Sequence, residues 1–126
     1  MKELKRLRVM PDFSSSGIWG EDQDGKETCM VDFDELGISK ELEQEFEKWI
    51  YFYDSCFDKD YSFFKPGKAK IVNETGFELA KKLKREFPNT EIWFWEENTI
   101  SVNGKCKYVM NKHLIGGNEY PRHTRR

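Results

Sequence analysis

Nucleophilic chemistry needs a Ser or Cys held against a base, and the histidines available in this chain are His113 and His123. Neither falls near Ser14-Ser15-Ser16-Gly17, nor beside Cys29 or Cys56. The serine loop lacks the Gly-x-Ser-x-Gly elbow of a strained nucleophile, the Gly-Lys-Ser/Thr ending of a phosphate loop, and any Gly-x-Gly-x-x-Gly. Cys106 and His113 stand without a Cys-x-x-Cys or His-x-x-x-His partner, and Asp22, Asp24 and Asp32 miss the calcium-loop spacing, so no metal and no cofactor is expected. Asp32, Asp34 and Glu35 could in principle supply an acid and a base, but carboxylates in a strand-to-helix turn usually solvate or cap. The expectation is a protein that is not an enzyme. The alternative is a small cytosolic enzyme of unknown reaction built on the Asp12–Ser16 loop.

With chemistry unsupported, charge becomes the informative property. Residues 1–11 carry +3, residues 12–60 carry four Lys against 15 Asp/Glu, or −11, and residues 61–126 carry +6, which together give the net charge of −2. A chain so polarised favours fast, salt-sensitive association with a basic partner and keeps its acidic half away from nucleic acid. Trp93, Trp95 and Tyr108, with the basic residues around them, leave a nucleic-acid-binding accessory role as a lower-ranked reading, against which stands a pI of about 5.8.

Size and composition bound the scaffold. At 126 residues the chain is one domain, and with 10 Phe, 4 Trp and 5 Tyr its core must be rich in rings. Three cysteines at wide spacings argue for reduced thiols. The charged start Met1-Lys2-Glu3-Leu4-Lys5-Arg6 is not a secretory signal, and nowhere do about 18 apolar residues run together, so a cytoplasmic protein with no membrane partner is expected.

The elements follow from periodicity. Leu7 to Met10 alternates and meets Pro11-Asp12, which predicts a short strand. Cys29 to Phe33 predicts a second strand, paired with the first as a hairpin across a long loop in which Ile18-Trp19 packs back on the core. Leu42, Phe46, Trp49, Ile50, Tyr53 and Phe57 fall at offsets 0, 4, 7, 8, 11 and 15, one face of a helix capped by Ser39 and running to about Phe57. A second helix is predicted from a cap at Asn73 to Phe87, stopped by Pro88-Asn89. Glu91–Glu96 predicts a third strand, and Asn103-Gly104 between Thr99–Val102 and Lys105–Val109 predicts a type I′ hairpin. The result is an α+β domain over residues 1–110, a small, mostly antiparallel sheet packed against two amphipathic helices, followed by a polar, basic tail over 111–126.

On the first helix, Glu43, Glu47, Asp54 and Asp58 fall opposite the apolar stripe, and Tyr51 and Phe52 fall partly outside it. Together with Asp32, Asp34 and Glu35 before the helix and Tyr61 after it, they make the expected partner-binding surface, in which carboxylates meet a cationic protein and rings fill its pockets.

The segment Arg6-Leu7-Arg8-Val9-Met10-Pro11-Asp12-Phe13-Ser14-Ser15-Ser16-Gly17-Ile18-Trp19 resembles the start of a group of small bacterial proteins. The likeness continues through Val31–Ser39, the Trp-bearing stretch Trp49–Asp54 and Gly76–Lys84, and covers roughly residues 6–97; residues 98–126 have no counterpart in it. Such proteins are similar to the immunity proteins of contact-dependent and polymorphic toxin systems. That resemblance implies a cytosolic protein that binds and blocks a cognate toxin, often a nuclease with a basic active site.

Overall fold

The computed structural model describes residues 6–21, 28–57, 64–102 and 105–116, with the side chains of Thr28 and of 98–102 and 105–108 left aside. Its elements in chain order are β1 (Arg6–Val9), β2 (Ile18–Glu21), β3 (Thr28–Met30), α1 (Phe33–Leu36), α2 (Lys40–Asp54), α3 (Lys68–Glu86), β4 (Glu91–Val102) and β5 (Lys105–Leu114). The five strands form one sheet in the order β3-β2-β1-β4-β5, in which only β1 and β4 run parallel. This is the α+β architecture expected from the sequence, with the helices on one face of the sheet.

Alternation explains that one-sidedness. Leu7 and Val9 of β1 pair in register with Ile92 and Phe94 of β4, and all four are 0–1% exposed. They meet Leu42, Phe46, Trp49, Ile50 and Tyr53 of α2 and Val72, Phe77, Leu79, Ala80 and Leu83 of α3 in one continuous core. Gly76 on α3 lets the two layers touch: a Cβ there would lie 2.6 Å from Phe94 Cε1 and 2.6 Å from Trp49 Cζ2.

Four expectations change. Ile18–Glu21 is a strand, so β1 pairs with β2 through the tight connection Met10–Gly17, and Thr28–Met30 pairs with β2 instead of with β1. Ser14 at φ 58 and Gly17 at φ 84 make that turn, and two such backbone reversals are hard to read from a Ser-rich run. Helix α2 ends at Asp54, three residues short of Phe57, where Ser55 Oγ donates to Phe52 O. Helix α3 begins at Lys68, not at Asn73. Asn73 is buried on α3, with Nδ2 donating to Glu97 O at 3.0 Å and Oδ1 accepting from Glu97 N–H at 3.1 Å, so its amide serves the stretch of β4 that β1 does not reach. Finally, β5 carries on to Leu114, and Ile115 is 2% exposed and donates its N–H to Ile92 O, so strand pairing passes the point where a tail was expected to begin. The β4–β5 register closes at Val102↔Lys105, as a two-residue connection requires; the conformation of 103–104 lies outside the described residues, as do 117–126.

Candidate functional site

Helix α2 is aimed by its two ends. Ser39 Oγ accepts from Leu42 N–H at 3.2 Å and caps the helix. The same residue donates its N–H and Oγ–H to the Glu86 carboxylate at 2.9 and 2.6 Å, tying the start of α2 to the end of α3. With Leu42, Phe46, Trp49, Ile50 and Tyr53 committed to the core, the 3.6-residue period turns Glu41, Gln44, Glu47, Lys48 and Tyr51 outward.

On that outer face a shallow depression of about 390 Å³ is lined by Gln44, Glu47, Lys48 and Tyr51. Tyr51 is 81% exposed. Glu47 and Glu41 have no cationic partner among the described residues, whereas Glu43 pairs loosely with Lys40 at 3.6 Å and Glu45 is held by Lys82 of α3 at 2.7 Å. A surface pair of this kind, between an exposed Lys40 and a half-buried Glu43, contributes about 0–1 kcal/mol, so it holds Glu43 weakly. Glu45 is the acid of α2 held most closely by one of the molecule's own lysines.

The short α1 packs against the core side of α2 through Phe33, whose ring lies 6.3 Å from that of Phe46. Asp32 starts α1 and Glu35 Oε1 accepts its backbone N–H at 3.1 Å, while Asp34 is exposed; all three carboxylates gather at the positive end of α1 with no basic residue in its last turn. The other expected residues spread further. Phe52 is half-buried on the α3 side of α2, with Lys68 Nζ 5.8 Å from its ring. Asp54 is half-buried, its Oδ1 is enclosed without a hydrogen-bond partner, and loss of solvent, reinforced by Asp12, pushes its carboxyl above the usual range. Asp58 and Tyr61 lie outside the described residues. The helical period therefore puts Glu43, Glu47 and Tyr51 along one side of α2, leaves the Asp32–Glu35 turn linked to the buried stripe of that helix through Phe33 and Phe46, and sets Phe52 and Asp54 on opposite flanks of the helix.

The Asp12–Ser16 loop spends its polar groups on itself and on the neighbouring backbone of Val31. Asp12 Oδ1 accepts from Phe13 N–H at 2.8 Å, Ser15 Oγ donates to Asp12 O at 2.9 Å, and Ser16 Oγ reaches Val31 O at 2.7 Å. The Phe13 ring is 5.2 Å from both Tyr53 and Phe57, which anchors the loop on the end of α2. His113 is elsewhere, on β5, 3.1 Å from Glu96 Oε1 and 5.7 Å from the Phe77 ring. Cys56 is buried, donates to Phe52 O, and has its thiol pushed up by that burial, which makes it a poor nucleophile. Among the described residues no group of three or more His, Cys, Asp and Glu could hold a metal ion, and no helix is long and apolar enough to cross a membrane.

The basic residues of α3 are also largely engaged. Lys81 pairs with Glu78 at 3.0 Å, Lys82 with Glu45, and Lys84 donates to Pro88 O and Thr90 O at 3.1 and 2.8 Å, closing the carbonyl end of the helix. Trp95 has Arg8 stacked 3.6 Å from its ring centre and Lys112 at 4.6 Å, so cations of the same chain already occupy the ring that might have stacked a base.

What these features define is an α+β domain in which the serine loop, Cys56 and Trp95 are, among the described residues, engaged within the fold. Residues 5–97 match the family described as Serratia CdiI immunity protein-like, a span that runs from β1 into the middle of β4. The chain belongs to that family, and its general role is that of an immunity protein, which inhibits a toxin. No curated protein matches the chain.

Proposed function

We propose that this immunity protein does no chemistry of its own and works in the cytoplasm by seating the outer face of α2, together with the Asp32–Glu35 turn that precedes it in sequence, on a cationic site of its cognate toxin, a nuclease being the class whose basic cleft fits best. Glu47, Glu41 and Glu43 would pair with lysines and arginines that otherwise hold phosphate, and Tyr51 would fill a pocket between them. Occlusion of the cleft then suffices for inhibition.

The observation that carries this reading is Tyr51: a large ring 81% exposed, at the lip of a depression it shares with Gln44, Lys48 and a Glu47 that has no cationic partner among the described residues, on a helix whose other rings are mostly buried. A ring so placed contributes nothing to the core, and exposed rings are common anchors of an interface. The test is co-expression with the product of the adjacent upstream reading frame. Rescue from growth arrest with co-purification of the two proteins is expected, and both should be lost in the double variant Glu47→Lys, Tyr51→Ala. A harmless neighbour that does not co-purify, or a double variant that protects as well as the parent, would refute the proposal.

A further inference from the structure

The depression on α2 carries both signs of charge. At about 100° of turn per residue, Glu47 and Lys48 fall on opposite sides of the line from Gln44 to Tyr51, so the exposed ring has a carboxylate on one flank and an ammonium on the other. Past Glu47 comes Glu43. Past Lys48 the helix surface turns toward α3, where Lys82 holds Glu45 at 2.7 Å and Lys68 lies 5.8 Å from the Phe52 ring.

Lys48 runs against the charge of this face. It is exposed, and among the described residues it has no carboxylate within ion-pair distance. Its place in the helix explains why. The favoured partner of a helical lysine is a glutamate four residues earlier, and Gln44 stands there instead. The acid three residues earlier is Glu45, which Lys82 of α3 already holds. Glu47 adjoins Lys48 in sequence, and residues one apart do not face each other on a helix. Lys40, the other lysine of α2, has Glu43 at 3.6 Å.

A partner that closes over Tyr51 has to accommodate that ammonium. A specific interface of ordinary size covers about 800 Å² on each side, well beyond a single ring, and Lys48 lines the same depression as Tyr51. Against a purely cationic surface Lys48 would be opposed twice, by lost hydration and by like charge. A carboxylate opposite it offsets both with a charge-assisted hydrogen bond.

We propose, on the reading that α2 seats in a cationic site of the toxin, that Lys48 is the specificity-determining residue of this face and pairs with a carboxylate of the toxin on one side of the pocket that receives Tyr51, the toxin's lysines or arginines lying on the Glu47 side. The contact is then directional. Glu47 and Lys48 fix which way round the helix lies, and Lys48 refuses a toxin that presents cations on both sides of the pocket.

Calorimetry of the purified toxin domain, the product of the adjacent upstream reading frame, with the Lys48→Glu chain tests this, because net charge and the specific pair demand opposite signs. On a uniformly cationic site Lys48→Glu would extend the acidic face and bind more tightly; the pair requires binding weakened about tenfold or more, with an unchanged melting temperature because Lys48 is exposed. Replacing the toxin's acidic residues by lysine one at a time should then yield a variant that escapes the parent immunity protein and is captured again by Lys48→Glu. Tighter or unchanged binding by Lys48→Glu overturns the proposal, and so does a complete set of toxin variants with no such rescue. The α2 reading fails by a different result, a Glu47→Lys, Tyr51→Ala chain that binds like the parent, so loss of affinity in that double variant with none in Lys48→Glu sinks the Lys48 assignment alone.

Discussion

Replacing Gly76 by Ala should destabilise the protein, against the ordinary rule for a helix interior. In an open helix position Gly→Ala stabilises by about 0.8–1 kcal/mol through backbone entropy and propensity. At Gly76 the new methyl carbon would lie 2.6 Å from both Phe94 Cε1 and Trp49 Cζ2, almost an ångström inside contact distance. Neither ring has room to withdraw, because Phe94 is 1% and Trp49 2% exposed and Trp49 Nε1 is tied to Val72 O at 3.0 Å. Overpacking of this kind costs about 1–3 kcal/mol or more, and a clash with two rings belongs at the upper end, so a net loss of about 1–2 kcal/mol is expected after the propensity gain. Urea unfolding followed by tryptophan fluorescence would show the midpoint falling with the m-value unchanged, and the melting temperature should drop by about 4–8 °C. A variant as stable as the parent would refute the packing argument, and with it the placement of α3 directly on β4 through this glycine.

Three further outcomes follow from the side chains described. Glu97 is 8% exposed and accepts from Tyr53 Oη at 3.0 Å; burial foremost, with Asp12 adding to it, raises its carboxyl above the usual range. A folded-state value above the unfolded one penalises the folded protein at neutral pH and relieves it as pH falls through the raised value, so Glu97→Gln, which keeps an acceptor for Tyr53, should flatten the pH dependence of stability on the neutral side of the ordinary carboxylate range relative to the parent. Parallel profiles would contradict this. Ser15→Ala removes only a hydroxyl bonded within its own turn, so it should cost about 0.5–1.5 kcal/mol and leave protection against the toxin intact, whereas a catalytic loop would lose protection entirely. Tyr51→Ala should leave the melting temperature unchanged, because the ring is 81% exposed, while weakening toxin affinity by about tenfold or more, as measured by calorimetry.

Where local periodicity decides, the residues spoke clearly. The stripe from Leu42 to Tyr53, the Ser39 cap and the two-residue connection at 103–104 each depend on neighbours in sequence, and each corresponds to an observed element or register. The misreadings come from long-range partners. Asn73 has the chemistry of a helix cap, and only the arrival of Glu97 from 24 residues away converts it into a buried clamp. Ile18–Glu21 is too short to announce itself as a strand until β1 folds back through Ser14 and Gly17. Lys112 and Leu114 read as part of a polar tail because their alternation serves an exposed face. On α2, Glu47 and Tyr51 were legible as outward residues, but which glutamates stay unpaired depended on where Lys82 and Lys40 ended up.

The central claim is that an unneutralised acidic face on α2 captures a cationic toxin. Stopped-flow association of the purified toxin domain with the parent and with Glu43→Lys, Glu47→Lys tests it most directly. At low salt the reversed helix should associate about tenfold more slowly or worse, and the two rates should converge as added salt shortens the Debye length below about 10 Å. Equal rates and affinities at every ionic strength would contradict the account and place toxin recognition on another surface.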